Sequence, residues 1–391
     1  MSFLFGNKNK QEIVAVIDIG SGRVGGALVA ISGNEKPKIL FTTQKTIAAD
    51  HDLDIGKFAG AMQKSLQYAV ADLTGAKLGK VNRIVCFLSS PWYVSQTRDI
   101  RYSKNTPFVF NQKLLDELVT KEIKLFEGDH LQKYTGRGEP RIIESKITQI
   151  LLHGYKTDDP FGKKVKEIDI SAYISISPAP IIDLIERELF RAFHLSKVHF
   201  ATFLFSSYAV ARDLFPDKED FILIDVGSEL TDIAIVKSDM LTESLSFPRG
   251  ENFLLRKIAE GLGKSVTESS SLLNMCLDDK LGSPDQEKVS KHLQSAKRDW
   301  LSMFQKTLGE MASDLLVPEN IFLITDKPLA SCFIEAINKE EFSQYALSEK
   351  KFEITALNEP LLHNFCTFEA KAARDRFLIL ESIFISTKMR S

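Results

Sequence analysis

An aspartate stands near the end of an apolar run twice in this chain, and both times glycine and serine follow it. The first copy is Ile17-Asp18-Ile19-Gly20-Ser21-Gly22; the second is Ile224-Asp225-Val226-Gly227-Ser228-Glu229-Leu230-Thr231-Asp232. Each sits between two strand-like runs, 13–16 and 27–30 in the first, 221–223 and 233–236 in the second, so both read as hairpins. Glycine and serine give a tight turn whose backbone N–H groups can converge on an anion. Two such turns facing one another could grip the phosphates of one nucleotide, with Asp18 and Asp225 holding a hydrated Mg²⁺. A single Asp-x-Gly hairpin is a common structural turn. Repetition in one register is what points to chemistry.

The elements around these turns follow from periodicity. A helix is expected over 55–72, where Phe58, Met62, Leu66 and Ala69 recur at helical spacing. Strands follow over 83–88 and from Pro91 towards Ile100, then a helix capped near Asn111, then two long strands over 142–152 and 165–176. The last alternates apolar Ile168, Ile170, Ala172, Ile174 and Ile176 with polar neighbours, which buries one face. Ser177-Pro178-Ala179-Pro180 closes this small α+β unit. Helices are expected over 181–193 and 206–214. After the second hairpin come helical regions over about 252–277 and 285–316, a buried strand at 321–325, a helix over 329–337 and a short strand near 352–357. The final apolar stretch, 375–385, reads as a core helix, because no basic face opposes Phe377, Leu378, Leu380, Ile383 and Phe384 as a surface-seeking helix requires.

Composition narrows the class. At 391 residues the chain fits two or more lobes. Fifty basic against 52 acidic residues, a net charge of -2, speak against a nucleic-acid binder. Cys86, Cys276, Cys332 and Cys366 are scattered with no Cys-x-x-Cys pair, which fits a reduced cytosolic chain and neither a metal nor a disulfide framework. No apolar run is long enough to cross a bilayer. The first residues, Ser2-Phe3-Leu4-Phe5-Gly6-Asn7-Lys8-Asn9-Lys10, read either as a frayed terminus or as a weak foot for a membrane or partner.

The order of Asp-x-Gly-Ser hairpin, inserted α+β unit, small-residue helix with Ala209 and Ala211, Asp-x-Gly-x-x-x-Thr hairpin and Pro-x-Gly segment resembles the actin-like ATPase superfamily. Within it the chain is similar to the FtsA and PilM branch of bacterial division and type IV pilus assembly proteins, and most of all to FtsA. The motifs behind this are Ile150-Leu151-Leu152-His153-Gly154-Tyr155, Asp159-Pro160-Phe161-Gly162 and the stretch from Phe247-Pro248-Arg249-Gly250 to Gly263. The resemblance implies an α/β, two-lobed actin-like (ribonuclease H-like) fold with a small α+β subdomain inserted in the first lobe. It implies a first lobe of 11–80 and 181–218, the inserted subdomain at 81–180, a second lobe of 219–258 and 318–391, and a helical subdomain at 259–317.

The resemblance also implies a function: a cytoplasmic scaffold, peripheral to the inner face of the membrane, that binds ATP and Mg²⁺ and self-associates into filaments. Its partners would be division proteins. The alternatives are a PilM-like pilus adaptor that binds a membrane partner's peptide, and a pseudo-ATPase scaffold that no longer binds nucleotide. Carried over by position, Asp18 and Asp225 hold the metal through water, and Gly20, Ser21, Gly22, Gly227 and Ser228 cradle phosphate. Thr231 closes the second turn, and Gly250 lies near the sugar and phosphate.

Departures from the family pattern bear on the chemistry. The lysine usual seven residues after the first aspartate is Gly25 here, leaving Arg23 either to replace it or to point away. Arg249 stands where the family has glycine, so it either meets a phosphate or blocks close approach. Thr325-Asp326-Lys327-Pro328 replaces a Gly-Gly turn beneath the nucleotide. Leu204-Phe205-Ser206-Ser207-Tyr208 lacks the Glu or Gln that orients water, so at most slow ATP hydrolysis is expected.

Overall fold

Aliphatic strands buried on both faces form two sheets of one design, and each carries one of the Asp-x-Gly hairpins. The computed structural model describes residues 11–33, 35–47, 55–131, 139–157, 159–311, 317–339 and 351–389. The segment 2–10 singled out in the sequence lies outside them. The chain divides into two units.

The first unit takes the described residues of Met1–Ser89, Asp183–Ala211 and Leu357–Ser391. Its strands are β1 (Glu12–Ile19), β2 (Arg23–Ile31), β3 (Lys38–Thr46), β4 (Arg83–Leu88), β9 (Val198–Thr202) and β15 (Thr367–Phe368), in the order β15-β3-β2-β1-β4-β9. β1 pairs antiparallel with β2 and parallel with β4. Helices α1 (Ile55–Gly75) and α10 (Arg376–Lys388) pack on this sheet. That burial explains why β1 reads as a continuous apolar run rather than an alternating one. Residues 376–386 of α10 are all buried, so it is a core helix. It corrects one expectation: the C-terminal residues were placed in the second lobe, yet β15 pairs with β3 and α10 covers β1 and β2.

The second unit takes Ser90–Ile182 and Arg212–Ala356. Its larger sheet runs β12-β11-β10-β13-β14, built from β10 (Phe221–Val226), β11 (Thr231–Lys237), β12 (Met240–Phe247), β13 (Asn320–Ile324) and β14 (Glu353–Ala356). Again the hairpin strands are antiparallel and the next neighbour, β13, is parallel to β10. Helices α5 (Glu251–Leu262), α6 (Val266–Leu277), α7 (Ser283–Met311) and α8 (Lys327–Asn338) accompany it. The continuous helix expected over 252–277 is two helices. Gly263 ends α5 in the left-handed region (φ 64°), and Ser265 opens α6 with a capping box to Glu268. Trp300 and Phe304 of α7 stack in the core with ring centroids 5.4 Å apart.

The inserted subdomain is a four-stranded sheet, β5-β8-β6-β7, of β5 (Val94–Val109), β6 (Pro140–Leu152), β7 (Tyr155–Lys156) and β8 (Lys164–Pro178). Ile100, Ile168 and Ile170 bury one face with Leu115 of α2 (Gln112–Leu131), whose start Asn111 caps through the Leu114 N–H at 2.9 Å. In sequence it interrupts the first lobe; in space it belongs to the same unit as the second sheet. The chain crosses between the units inside α3 (Ala179–Phe193) and α4 (Phe203–Leu214), and at 89–90 and 356–357.

Candidate functional site

The structure gathers the ten candidate residues into two clusters, one in each unit. In the first, the Gly20 N–H donates to the Arg23 carbonyl at 3.0 Å, closing a two-residue loop of Ser21 and Gly22. Asp18 stands opposite Gly25 in the ladder and is 1% exposed. A Cβ at position 25 would lie 3.3 Å from the Asp18 Cβ and Oδ2, so the missing side chain lets β2 close tightly over the carboxylate.

Arg23 resolves the first open question: its guanidinium turns inward. It donates to Asp18 Oδ2 at 3.0 Å and to both carboxylate oxygens of Asp375, at 2.6 and 3.3 Å, and lies 3.9 Å from the centre of the Phe377 ring. A fork of this kind matches a carboxylate through two parallel bonds. Asp375 in turn caps α10 by accepting from the N–H groups of Phe377 and Leu378. Burial pushes the Asp375 carboxyl up, but the Arg23 charge and these bonds outweigh it and hold its pKa below the usual range. Glu381, further along α10, is fully buried, and neither carboxyl oxygen has a hydrogen-bond partner among the described residues. Burial, then the charges of Asp18 and Asp375, raise its pKa well above the usual value, which favours the protonated form.

The second cluster repeats the turn. The Gly227 N–H donates to the Leu230 carbonyl at 2.9 Å around Ser228 and Glu229. The start of α5 then folds against this loop: the N–H groups of Gly250, Glu251 and Asn252 donate to the carbonyls of Glu229, Gly227 and Ser228 at 3.0, 2.9 and 2.8 Å. Gly250 is the residue that permits it, since a Cβ there would sit 2.2 Å from the Gly227 carbonyl oxygen. The Thr231 hydroxyl is engaged in both directions, donating to the Arg249 carbonyl at 2.8 Å and accepting from Trp300 Nε1 at 3.1 Å. Arg249 donates to the Asp299 carbonyl and lies 5.0 Å from the Phe253 ring, which settles its side chain within the helical layer.

Asp225 is 3% exposed and pairs across the ladder with Asp232. Burial raises the pKa of Asp232 even though Ser90 and Ser246 both donate to it. Glu229 takes two bonds from Arg256, at 2.7 and 3.1 Å, and one from Asn252. The Thr325–Asp326 turn is met by Glu251, whose Oε1 accepts from the Thr325 hydroxyl at 2.9 Å and the Asp326 N–H at 2.8 Å. Asp326 is the residue before α8, so a carboxylate sits where a helix start would otherwise attract an outside anion.

These residues do not fit a magnesium nucleotide as they stand. Asp18 already holds an arginine whose side chain is 12% exposed, and an internal carboxylate caps the Thr325–Asp326 turn. Among the described residues no group of three or more His, Cys, Asp or Glu could hold a metal ion. Sequence reasoning missed Asp375, Glu381, Glu251 and Trp300, each remote in sequence from the turn it serves. Only Glu251 left a local trace, as an acidic first residue of a helix directly after Gly250.

A separate feature lies in the second unit. The open face of the inserted sheet and the start of β12 border an open cavity of about 340 Å³, lined by Asp99, Arg101, Gln149, Glu167, Asp169 and Ser171 and by residues 240–242. Its floor is organised: Ser171 donates to Asp99 at 2.7 Å, Arg101 faces Asp169 at 3.5 Å, and Thr97 donates to the Leu241 carbonyl at 3.0 Å.

No protein-family model matches the chain, and no curated protein matches its sequence. Among solved structures it is similar to the PilM–PilN type IV pilus biogenesis complex, with a TM-score of 0.62 and 12% identity over 95% of this chain and 97% of that one. It also matches the ethanolamine utilization protein EutJ from Carboxydothermus hydrogenoformans, with a TM-score of 0.47 and 10% identity over 97% and 92%. A Bacteroides thetaiotaomicron protein described as having an actin-like ATPase fold matches with a TM-score of 0.40 and 8% identity over 98% and 99%. At such identities the likeness is one of fold. The chain has the actin-like ATPase fold. No helix among the described residues is long and apolar enough to cross a membrane.

Proposed function

We propose that this chain is a scaffold of actin-like fold that captures a short peptide of an assembly partner on the open face of its inserted sheet, as an adaptor of the PilM type would, beside the inner face of the membrane. The observation that carries the reading is the cavity over β5, β6 and β8. It presents hydrogen-bonding side chains at alternate strand positions, the arrangement that reads an extended segment. The likeness to the PilM–PilN complex over nearly the whole of both chains supports it. A division scaffold of FtsA type, linking filaments to the membrane with ATP and Mg²⁺ bound, uses the same fold but finds less support in Arg23 and Glu251, which already occupy its nucleotide turns.

The test uses the full chain and fluorescent peptides copied from the cytoplasmic ends of membrane proteins encoded beside its gene. Binding that Ser171→Arg and Asp169→Lys each reduce at least tenfold, with unchanged melting, supports the reading. Peptide binding indifferent to both substitutions, or filaments that form only with Mg·ATP, overturns it.

A further inference from the structure

We propose that two of the chain's own side chains take over the roles of a bound metal nucleotide: the Arg23 guanidinium serves as the cation on Asp18, and the Glu251 carboxylate serves as the anion on the Thr325–Asp326 turn. The inference is independent of the peptide-docking reading, and each half rests on its own unit.

In the first unit a carboxylate that is 1% exposed needs a counter-ion, because an unpaired buried charge is costly. A hydrated metal could supply it. Here the arginine does, from the first residue of β2 on the same hairpin, with its side chain only 12% exposed. The site is built for a permanent cation. Asp375 pairs with the guanidinium as well, Phe377 stacks beneath it, and Gly25 leaves room for β2 to close over Asp18. Phe377 and Asp375 have this position because Asp375 begins α10, so the core helix and the cation site are one construction.

In the second unit the first amides of α8 are natural anion donors. Glu251, the first residue of α5, accepts from the N–H of Asp326, the residue just before α8, and its own backbone N–H is bound to the Gly227 carbonyl in the turn. One residue therefore joins the phosphate-type turn to the start of α8. Its charge sits where an outside phosphate would compete. Both contacts, Arg23 on Asp18 and Glu251 on the Thr325–Asp326 turn, are made by side chains of the chain itself.

Thermal melts of the full chain test this, with about 5 mM Mg·ATP, Mg²⁺ alone, ATP with chelator, or NaCl of matched ionic strength; a ligand held well above its Kd raises Tm measurably. The wild type is expected to melt at the same temperature in all four. Arg23→Met should melt several degrees lower and recover part of the loss with Mg²⁺ but not with NaCl, because the metal regains the empty place on Asp18. Arg23→Gln also removes the charge but keeps a polar side chain, and gives the same reading if Arg23→Met does not fold. Glu251→Ala should lower Tm, and Glu251→Gln, which keeps the accepting oxygen, should lower it less. A wild-type Tm rise with Mg·ATP, or variants that Mg²⁺ and NaCl affect alike, overturns the proposal.

Discussion

Trp300 Nε1 donates to Thr231 Oγ1 at 3.1 Å, joining the centre of the helical layer to the first residue after the second glycine turn. The hydroxyl passes the bond on to the Arg249 carbonyl at 2.8 Å, and Thr231 is fully buried. Thr231→Val keeps the shape and removes both bonds, leaving a buried N–H and a carbonyl without a partner. The expected loss is about 2–4 kcal/mol in urea unfolding. Trp300→Phe in the Thr231→Val background should then cost less than in the wild type. Strictly additive losses would show that the two residues do not share one network.

Gly250→Ala should be the most damaging glycine substitution of the second unit. Its Cβ would meet the Gly227 carbonyl oxygen at 2.2 Å and the Ser228 carbonyl at 2.6 Å, both backbone groups that cannot rotate aside. A loss of about 2–3 kcal/mol or more is expected, from overpacking and from breaking the bonds between α5 and the turn. Gly128→Ala is the control. Nothing lies within 4 Å of its added carbon in α2, so it should stabilise by roughly 0.5–1 kcal/mol. Circular-dichroism melts of the two variants should move in opposite directions.

Glu381 gives the stability a distinctive pH dependence. Its folded pKa is raised well above the ordinary value by burial, then by Asp18 and Asp375. The stability tied to its bound proton is therefore fully present below the unfolded pKa, near about 4.3, and is lost as pH rises towards the folded value. Glu381→Gln should flatten that decline, and the difference between variant and wild type should grow with pH. Glu381→Leu should stabilise the chain at neutral pH by about 1–3 kcal/mol, since it removes a buried polar group with no hydrogen-bond partner among the described residues. A difference that stays constant between pH 4 and pH 8 would count against the neutral carboxyl.

Lys297 and Glu335 should respond asymmetrically to truncation. Lys297 is buried within α7 and donates to Glu335 at 2.6 Å, while Lys339 reaches Glu335 from the solvent side. These bonds hold the Glu335 carboxyl down at about 2, although the group is half-exposed and water screens much of the benefit. Glu335→Ala strands the lysine charge and should cost about 2–3 kcal/mol, whereas Lys297→Met should be nearly neutral. The Glu335 contribution is present above the ordinary carboxylate pKa and fades as pH falls towards 2. Denaturant titrations at pH 3 and pH 7 would show the penalty of Glu335→Ala shrinking at the lower pH.

The parts legible in the sequence were those encoded locally. The hairpins at Asp18 and Asp225 announce themselves through an apolar run, an aspartate and a glycine turn within a dozen residues, and β10 pairs with β11 in the same register as β1 with β2. Asn111 as a cap and 375–385 as a core helix were likewise visible. What escaped depends on distance along the chain. Arg23 meets Asp375 across 352 positions, and Glu251 meets Thr325 across 74. Periodicity carries no signal for such pairs. The break at Gly263 escaped because apolar spacing continues through it; the left-handed residue and the capping box that follow are what divide the helix. The strand β5 runs nine residues past Ile100 because it is an edge strand with a bulge between Ser103 and Phe108, and its polar residues need no buried face.

The pairing of β15 with β3, and the seat of α10 on β1 and β2, set an order of events during synthesis. Arg23 of the first hairpin is made 352 residues before the side chain that receives it, Asp375, and the helix that covers β1 and β2 follows that aspartate. Every residue of the second unit has been made by Ala356, so that unit can mature while the opening strands still wait for their cover. A chain cut short before residue 376 would carry the second unit whole and β1 and β2 without the helix that covers them.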